Sequence, residues 1–378
     1  MKTSIQVLKP YFRVEETLYQ IRECLERGWS GMGYKTEEFE SEWKRYSGFV
    51  NAHFLNSATS GLHLAVNIFK SRLGWQDGDE IISTPLTFVS TNHAIMYERM
   101  NPVFADVDEK TLCLDPESVK RSITKKTRAV IYVGIGGNAA GYKEIKDICR
   151  KNGLVLILDA AHMAGTKWKD DGCQVGHDSD CAVFSFQAVK NCPSGDAGII
   201  CFKEKEFDTA ARKLAWLGID KNTYARYSES SYKWRYDVDE IGFKYHGNSI
   251  MASLCLVSLK YLDEDNAYRR KLANIYLEEL SRVDWIELIN HSDDILSSRH
   301  TLQILVEERD DFIDRISEFG VYCGVHYVDN RQYRPYQFSE IKPDSAAKVS
   351  ERLVSLPLHL NLTEEDVRYI CERILKIF

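Results

Sequence analysis

The ten cysteines of this 378-residue chain form no CxxC pair, prolines number only eight, and the longest uninterrupted apolar stretches are short, LVLIL among them. Scattered thiols (Cys24, Cys113, Cys149, Cys173, Cys181, Cys192, Cys201, Cys255, Cys323 and Cys371) suit buried core positions in a reducing compartment better than a disulfide frame. So few prolines, beside 22 glycines, exclude a disordered or collagen-like chain. No stretch approaches the roughly 20 apolar residues that a membrane-spanning helix needs. The start, MKTSIQVLKPYF, also lacks the charged-then-apolar layout of a secretory leader, so a cytoplasmic protein with no membrane partner is expected. A basic excess is missing too. Lysine plus arginine (49) against aspartate plus glutamate (56) gives a net charge of −7, which provides no footprint for nucleic acid.

What is present is the composition of a globular protein, 44% hydrophobic and 28% charged. At roughly 100–200 residues per domain the length allows two or three units. Val14, Leu18, Ile21 and Leu25 fall on one face of an amphipathic helix over residues 12–27, and the glycines of GWSGMG, 28–33, end it. From residue 54 to about 205, helical stretches alternate with short β-branched or apolar runs: DEIISTP, PVFADV, RAVIYV, LVLILD, CAVFSF and GIICF. That alternation predicts an α/β fold with a mostly parallel sheet. Residues 220–240 mix aromatics with charges without a period and read as a long exposed loop, the kind that often carries function. Beyond it come a helix over 250–262, a strand-helix-strand stretch (HTLQILVEE, DDFIDRISEFG, VYCGVHY) and a last helix opened by a capping pattern from Thr363 to Asp366. The expected division is a large domain over 1–246 and a smaller α/β domain over 247–378.

Three patterns bear on chemistry, and none of them points to a metal. Gly134, Gly136 and Ala139 follow RAVIYV and precede a helix over 142–152, a strand and the acidic Asp159, which is the spacing of a dinucleotide fingerprint. Against that reading, some 130 residues of other α/β structure come first, and a plain strand-to-helix turn explains the glycines equally well. The second pattern is SATSG, 57–61, at the start of a helix whose apolar face includes Leu62, Ala65 and Phe69. Free N–H groups flanked by hydroxyls make an anion site there, with ordinary capping by Ser57, Thr59 or Ser60 as the competing reading. The third is Asp159 in LILDAAH and Lys190 in FSFQAVKN, 31 residues apart and each just past a buried-strand run. Open α/β sheets bind ligands at such strand ends. A lysine amine for an aldehyde, an acid under a ring nitrogen and a phosphate cradle are together what pyridoxal phosphate requires.

These residues stand within a longer series: GWSGMG with EFESEW, NSATSGLHLA, GDEIISTPLTFVSTNHAI, NPVFADVDEKT, LDAAHMAGTKW, VFSFQAVKNCPSGDAGI, IGFKYHGNSIMASLCLVSLKYLD, GVHY and SLPLHLNLTEEDV. Over nearly its whole length the chain thereby resembles the DegT/StrS family of pyridoxal-phosphate sugar aminotransferases, which have the type I aspartate aminotransferase fold. The resemblance implies Lys190 as the Schiff-base lysine and Asp159 as the acid under the pyridine nitrogen. It places His162 near the cofactor's phenolic oxygen, Phe88 against the ring, and Thr59, Ser60 and Ser185 at the phosphate. It implies a homodimer with shared active sites, in which GFKYHGN reaches across and Lys244 or Asn248 approaches the neighbour's phosphate. Lys244 stands where the family commonly has asparagine. Gln187, His246 and the pair Asp196–Ala197 are further departures, at positions where histidine, arginine and Glu-Gly are usual.

The activity implied is transfer of an amino group from L-glutamate to a keto sugar, a nucleotide-linked 3-keto or 4-keto 6-deoxyhexose in the family, for polysaccharide or antibiotic amino sugars. Retention of Lys190 disfavours the dehydratase branch, which has histidine there. Trp29 of the glycine-rich loop, Tyr232, Trp234 and Arg235 of the aromatic and basic segment, His326, and Arg331 of DNRQYRPY are the expected substrate contacts. The rival readings are a nicotinamide oxidoreductase built on the Gly134-x-Gly136 turn and a regulatory protein that binds pyridoxal phosphate without turnover.

Overall fold

A computed structural model describes residues 4–219, 236–338 and 344–377. Among them the strands are β1 (Asn51–Leu55), β2 (Glu80–Ser83), β3 (Asn101–Phe104), β4 (Thr127–Val133), β5 (Val155–Asp159), β6 (Lys167–Trp168), β7 (Cys181–Ser185), β8 (Gly198–Phe202), β9 (Glu287–Leu288), β10 (Ile295–Leu296), β11 (Leu302–Leu305) and β12 (Leu353–Leu356). The helices are α1 (Val14–Glu26), α2 (Tyr34–Ser47), α3 (Ala58–Leu73), α4 (Val89–Tyr97), α5 (Pro116–Ser122), α6 (Tyr142–Asn152), α7 (Lys205–Leu214), α8 (Ser249–Lys260), α9 (Leu262–Leu280), α10 (Arg309–Glu318), α11 (Ser345–Arg352) and α12 (Glu364–Ile374). None of them is long and apolar enough to cross a membrane.

Seven strands form one sheet in the order β1-β8-β7-β5-β4-β2-β3. Neighbours from β3 through β7 pair in parallel, and β8 runs antiparallel between β7 and β1. Apolar residues on both faces of these strands demand cover on both sides. One face packs on Phe39 and Trp43 of α2, Tyr142 and Ile145 of α6, and Ala252 and Cys255 of α8. The other packs on Leu62, Ala65 and Phe69 of α3, Ile95 of α4 and Ala211 of α7. A third core joins α9, α10 and α12 to β11 and β12, and Ile5 from the start of the chain enters it. The chain has the α/β, fold-type-I architecture that the sequence implies. Parallel pairing of Val133 with Asp159, and of Asp159 with Val183, brings the C-terminal ends of β4, β5 and β7 level, and this positions the site.

One expectation is corrected. VYCGVHY forms no strand, making only isolated bridges from Val321 to Ile5 and from Gly324 to Ser355, and the third strand of the small sheet is β12. Helix α1 forms as expected, but its apolar stripe faces outward: Val14, Leu18 and Leu25 are 58%, 51% and 64% exposed, while Thr17 and Cys24 are buried. All ten cysteines are free, eight buried and two (Cys173 and Cys323) half-buried.

Candidate active site

A cavity of about 420 Å³ opens where β4, β5 and β7 end, and its lining includes Asp159, Lys190, the start of α3, Phe88 and Tyr327. Asp159 is the last residue of β5 and 5% exposed. Thr91 Oγ1 donates to its Oδ2 at 2.7 Å, and the Ala161 N–H donates to its Oδ1 at 3.1 Å. Thr87 and Thr91 hydroxyls, 2.9 Å apart, continue this chain. Burial pushes the Asp159 carboxyl upward, and its two donors and the charge of Lys190 pull the other way. Lys190 lies in the turn after β7, where its N–H donates to the Gln187 carbonyl at 2.8 Å. Burial lowers its amine from 10.5 to about 8, with Asp159 acting in the opposite sense. A buried carboxylate and a lysine whose amine burial lowers to about 8 thus face one space.

Helix α3 begins at this cavity. Ser57 caps it, its Oγ accepting from the Ser60 N–H at 3.1 Å, and Ser57, Ala58 and Thr59 line the space together with Ser185. First-turn N–H groups with no partner inside the helix make this an anion site. The helix start sits directly on the beginning of β8, for a side chain on Gly198 would place its Cβ 2.6 Å from the Ala58 nitrogen. Ser60, expected at the phosphate, is turned away. Its Oγ lies 2.8 Å from Asn56 Oδ1 and 2.7 Å from the Ser57 carbonyl, and the residue lines the neighbouring cavity of His63, Tyr97 and Tyr245. Capping geometry explains this placement, because the third residue of the first turn points back along the helix.

His162 lines the cavity with both ring nitrogens engaged. The Gly136 N–H donates to Nδ1 at 3.2 Å, so the ring proton sits on Nε2, which is 3.0 Å from the Tyr327 hydroxyl. Nε2–H therefore donates to the phenol oxygen and leaves the phenol proton free to donate into the cavity. Burial, with Lys190 nearby, drives His162 well below its ordinary value, and the ring is neutral at pH 7. His300 packs 4.2 Å from it, its Nδ1 2.8 Å from Asn191 Oδ1. His326 is held by Ser355 Oγ at 2.9 Å from Nδ1, and burial lowers it to about 4. Phe88 is 56% exposed, and its ring centre is 5.8 Å from that of Tyr327. Thr91, His300 and Tyr327 were missed by sequence reasoning. Tyr327 adjoins the noted His326, and Thr91 lies one helical turn past Thr87 in TFVST.

Other expected residues lie elsewhere. Arg331 does not line the cavity: 5% exposed, it donates to Asp329 at 2.6 Å and to Asp344 at 2.7 Å, so its guanidinium is used inside the fold. Trp29 is outside the cavity, in a separate groove with Trp216 and His246, and its Nε1 donates to the Met32 carbonyl at 2.8 Å. Asn248 caps α8, accepting from the Met251 N–H at 2.9 Å. Lys244 is exposed, with its Nζ 3.6 Å from the centre of the Trp216 ring. Neither lines the cavity of its own chain. Tyr232, Trp234 and Arg235 fall outside the described residues.

The Gly134-x-Gly136 turn is filled by protein. A Cβ at Gly134 would lie 1.8 Å from Met163 Sδ, and Gly136, at φ +62°, accepts from the His300 N–H at 3.1 Å. These contacts give the glycines a packing role in a strand-to-helix turn, and the nicotinamide reading is set aside. Pyridoxal phosphate fits instead: Asp159 suits a protonated ring nitrogen, Lys190 the aldehyde carbon, and the α3 start, cleared by Gly198, the phosphate.

The model of the DegT/DnrJ/EryC1/StrS aminotransferase family matches residues 13–375. The chain is 32% identical to dTDP-4-dehydro-2,3,6-trideoxy-D-glucose 4-aminotransferase of Saccharopolyspora spinosa, over 98% of this chain and 96% of that one. It is 31% identical to the spore coat polysaccharide biosynthesis protein SpsC of Bacillus subtilis, over 95% and 94%. Among solved structures, Spr1654 of Streptococcus pneumoniae superposes in its PMP form with a TM-score of 0.90 at 26% identity, covering 99% of this chain and 98% of that one. Its PLP form gives 0.89 at 25% identity, covering 99% and 100%. The chain belongs to the DegT/DnrJ/EryC1/StrS aminotransferase family and is a pyridoxal-phosphate-dependent sugar aminotransferase.

Proposed function

We propose that this enzyme moves the amino group of L-glutamate onto a nucleotide-linked 3-keto or 4-keto 6-deoxyhexose, releasing 2-oxoglutarate and an amino sugar for polysaccharide or antibiotic synthesis. The observation that carries the reading is the meeting of Lys190, Asp159 and the α3 start in one cavity, in a chain 32% identical to an aminotransferase of a dTDP-linked keto sugar. Bound there, the cofactor would supply an electron sink for the donor's α-carbon as it gives up its proton. Lys190 Nζ, held by burial at about 8, takes that proton. In the second half-reaction the same amine delivers a proton to the sugar carbon that becomes C–N. Asp159, fixed by Thr91 and the Ala161 N–H, keeps a proton on the ring nitrogen through its negative charge. Thr59, Ser185 and the first-turn N–H groups hold the phosphate, and Phe88 covers one side of the ring. The Tyr327 phenol, oriented by neutral His162, donates to an oxygen in the cavity.

Active sites shared across a homodimer complete the proposal. The outward apolar stripe of α1 is a surface for a second copy, and Lys244, exposed and with no carboxylate partner among the described residues, is the better placed of the two candidates for the neighbour's phosphate. His326 and the segment with Tyr232, Trp234 and Arg235 are assigned to the sugar and its nucleotide. Incubating the holoenzyme with L-glutamate and a panel of nucleotide-linked 3-keto and 4-keto 6-deoxyhexoses, with mass spectrometry of the sugar fraction, tests this. Conversion of one of them is expected. Amination of free keto acids alone would refute the sugar assignment.

A further inference from the structure

The loop between β6 and β7 carries a cluster that the transamination machinery does not use. Residues 166–175 form a tight hairpin. The Trp168 N–H donates to the Cys173 carbonyl at 2.9 Å, the Val175 N–H to the Thr166 carbonyl at 2.8 Å, and Gly172 takes φ +72° at the turn. At its tip Asp171 is exposed and Cys173 half-buried, and His177, also half-buried, follows one short turn later. Their donor atoms, a carboxylate oxygen, the thiol sulfur and a ring nitrogen, all lie within 4.8 Å of one another. We propose that Asp171, Cys173 and His177 bind one divalent cation of the zinc class.

The donor set suits that class, since thiolate and imidazole select zinc-like ions over magnesium or calcium. With bonds of about 2.0–2.3 Å, a tetrahedral zinc ion holds its ligand atoms roughly 3.3–3.8 Å apart, so small side-chain rotations close the set. Neighbouring hydrogen bonds already orient the groups. The Cys173 N–H donates to Asp171 Oδ1 at 2.7 Å, fixing the carboxylate over the thiol. His177 Nδ1 lies 3.0 Å from the Gln174 carbonyl, which can only accept, so Nδ1 carries the ring proton and Nε2 a lone pair. Cys173 is one of only two cysteines that are not buried, and exposure at the tip leaves room for a water as fourth ligand. At neutral pH the thiol enters protonated, so binding forms a metal–sulfur bond and releases one proton to solvent.

The site is remote from catalysis. The loop feeds the Cys181 end of β7, whereas Ser185, at the other end of that strand, lines the catalytic cavity. Its role is to pin the hairpin. That hairpin pairs Trp168 with Ile295 and Lys167 with Leu296, and the Lys169 N–H donates to the Asp294 carbonyl at 2.9 Å, so the cation braces the large sheet's periphery against the segment before β11.

The test is titration of the holoenzyme with zinc chloride by calorimetry in two buffers of different ionisation enthalpy, with X-ray absorption at the zinc edge. The proposal expects one ion per chain, one proton released, and one sulfur among nitrogen and oxygen scatterers. Cys173→Ser and His177→Gln should each weaken binding by more than the roughly 10–100-fold that loss of an outer partner causes. The bound-cofactor absorption should stay unchanged in both, which certifies folding. Absence of stoichiometric binding, a zinc environment without sulfur, or equal affinity in both variants, which would put the ion among the cavity histidines, would each overturn it.

Discussion

Burial sets the chemistry of Lys190, and the consequence is directly measurable. Its amine is neutral above about 8 instead of 10.5, so attack of the cofactor-free protein on pyridoxal phosphate should accelerate as pH rises through about 8 and level off above it. Stopped-flow growth of the visible band checks this, and acceleration continuing past pH 10 would show an ordinary exposed lysine. Lys190→Ala should form no such band and lose about 10²–10⁴-fold or more in turnover, the scale of positioned proton transfer. Arg331 leads to the opposite expectation. Arg331→Met leaves Asp329, fully buried, without its partner, and breaking a buried pair costs about 3–5 kcal/mol, so the melting temperature should fall while KM for the sugar holds. A raised KM with unchanged melting would restore the substrate role. Lys190, Asp159 and His162 were legible in the sequence because each closes a strand or its following turn within a distinctive motif. The pairing of Arg331 was not legible, because its partners, Asp329 two residues back and Asp344 thirteen ahead, carry no local signature.

At the scale of elements, the join between α3 and β8 depends on a missing side chain. Gly198→Ala would press a Cβ against the backbone of Ser57 and Ala58, which cannot yield as a flexible side chain would. Overpacking of this kind costs about 1–3 kcal/mol, and the strain falls on the phosphate-binding turn. Cofactor affinity should therefore drop by about tenfold or more in an equilibrium titration, beyond any change in denaturation midpoint, and unchanged affinity would separate that turn from the cofactor. Runs such as RAVIYV, LVLILD and CAVFSF were readable as strands because buried parallel strands are apolar on both faces. The antiparallel course of GIICF was not, since pairing direction leaves no mark on composition. VYCGVHY carries strand formers, yet Gly324 and the turn that presents His326 and Tyr327 to the cavity override them. The stripe of α1 was visible as a period, but no single-chain pattern says whether a stripe faces its own core or a partner.

For the whole molecule, the proposed sharing of active sites across a homodimer predicts complementation between two crippled variants. Lys190→Ala lacks the proton carrier and Lys244→Ala the proposed contact to the neighbour's phosphate. Unfolded together and refolded as a mixture, they should recover part of the wild-type activity, because one site of the mixed dimer retains both lysines. No recovery, with mixed dimers demonstrated, would confine Lys244 to its own chain. The central claim, that Lys190 and Asp159 build a transaminating pyridoxal-phosphate site, is tested most directly by the visible spectrum of the holoenzyme before and after L-glutamate. The account predicts a yellow band that glutamate bleaches to the ultraviolet pyridoxamine form, with release of 2-oxoglutarate. A band unmoved by glutamate or any other amino donor would leave a cofactor-binding protein without turnover, and no band at all would contradict the assignment of Lys190 and Asp159.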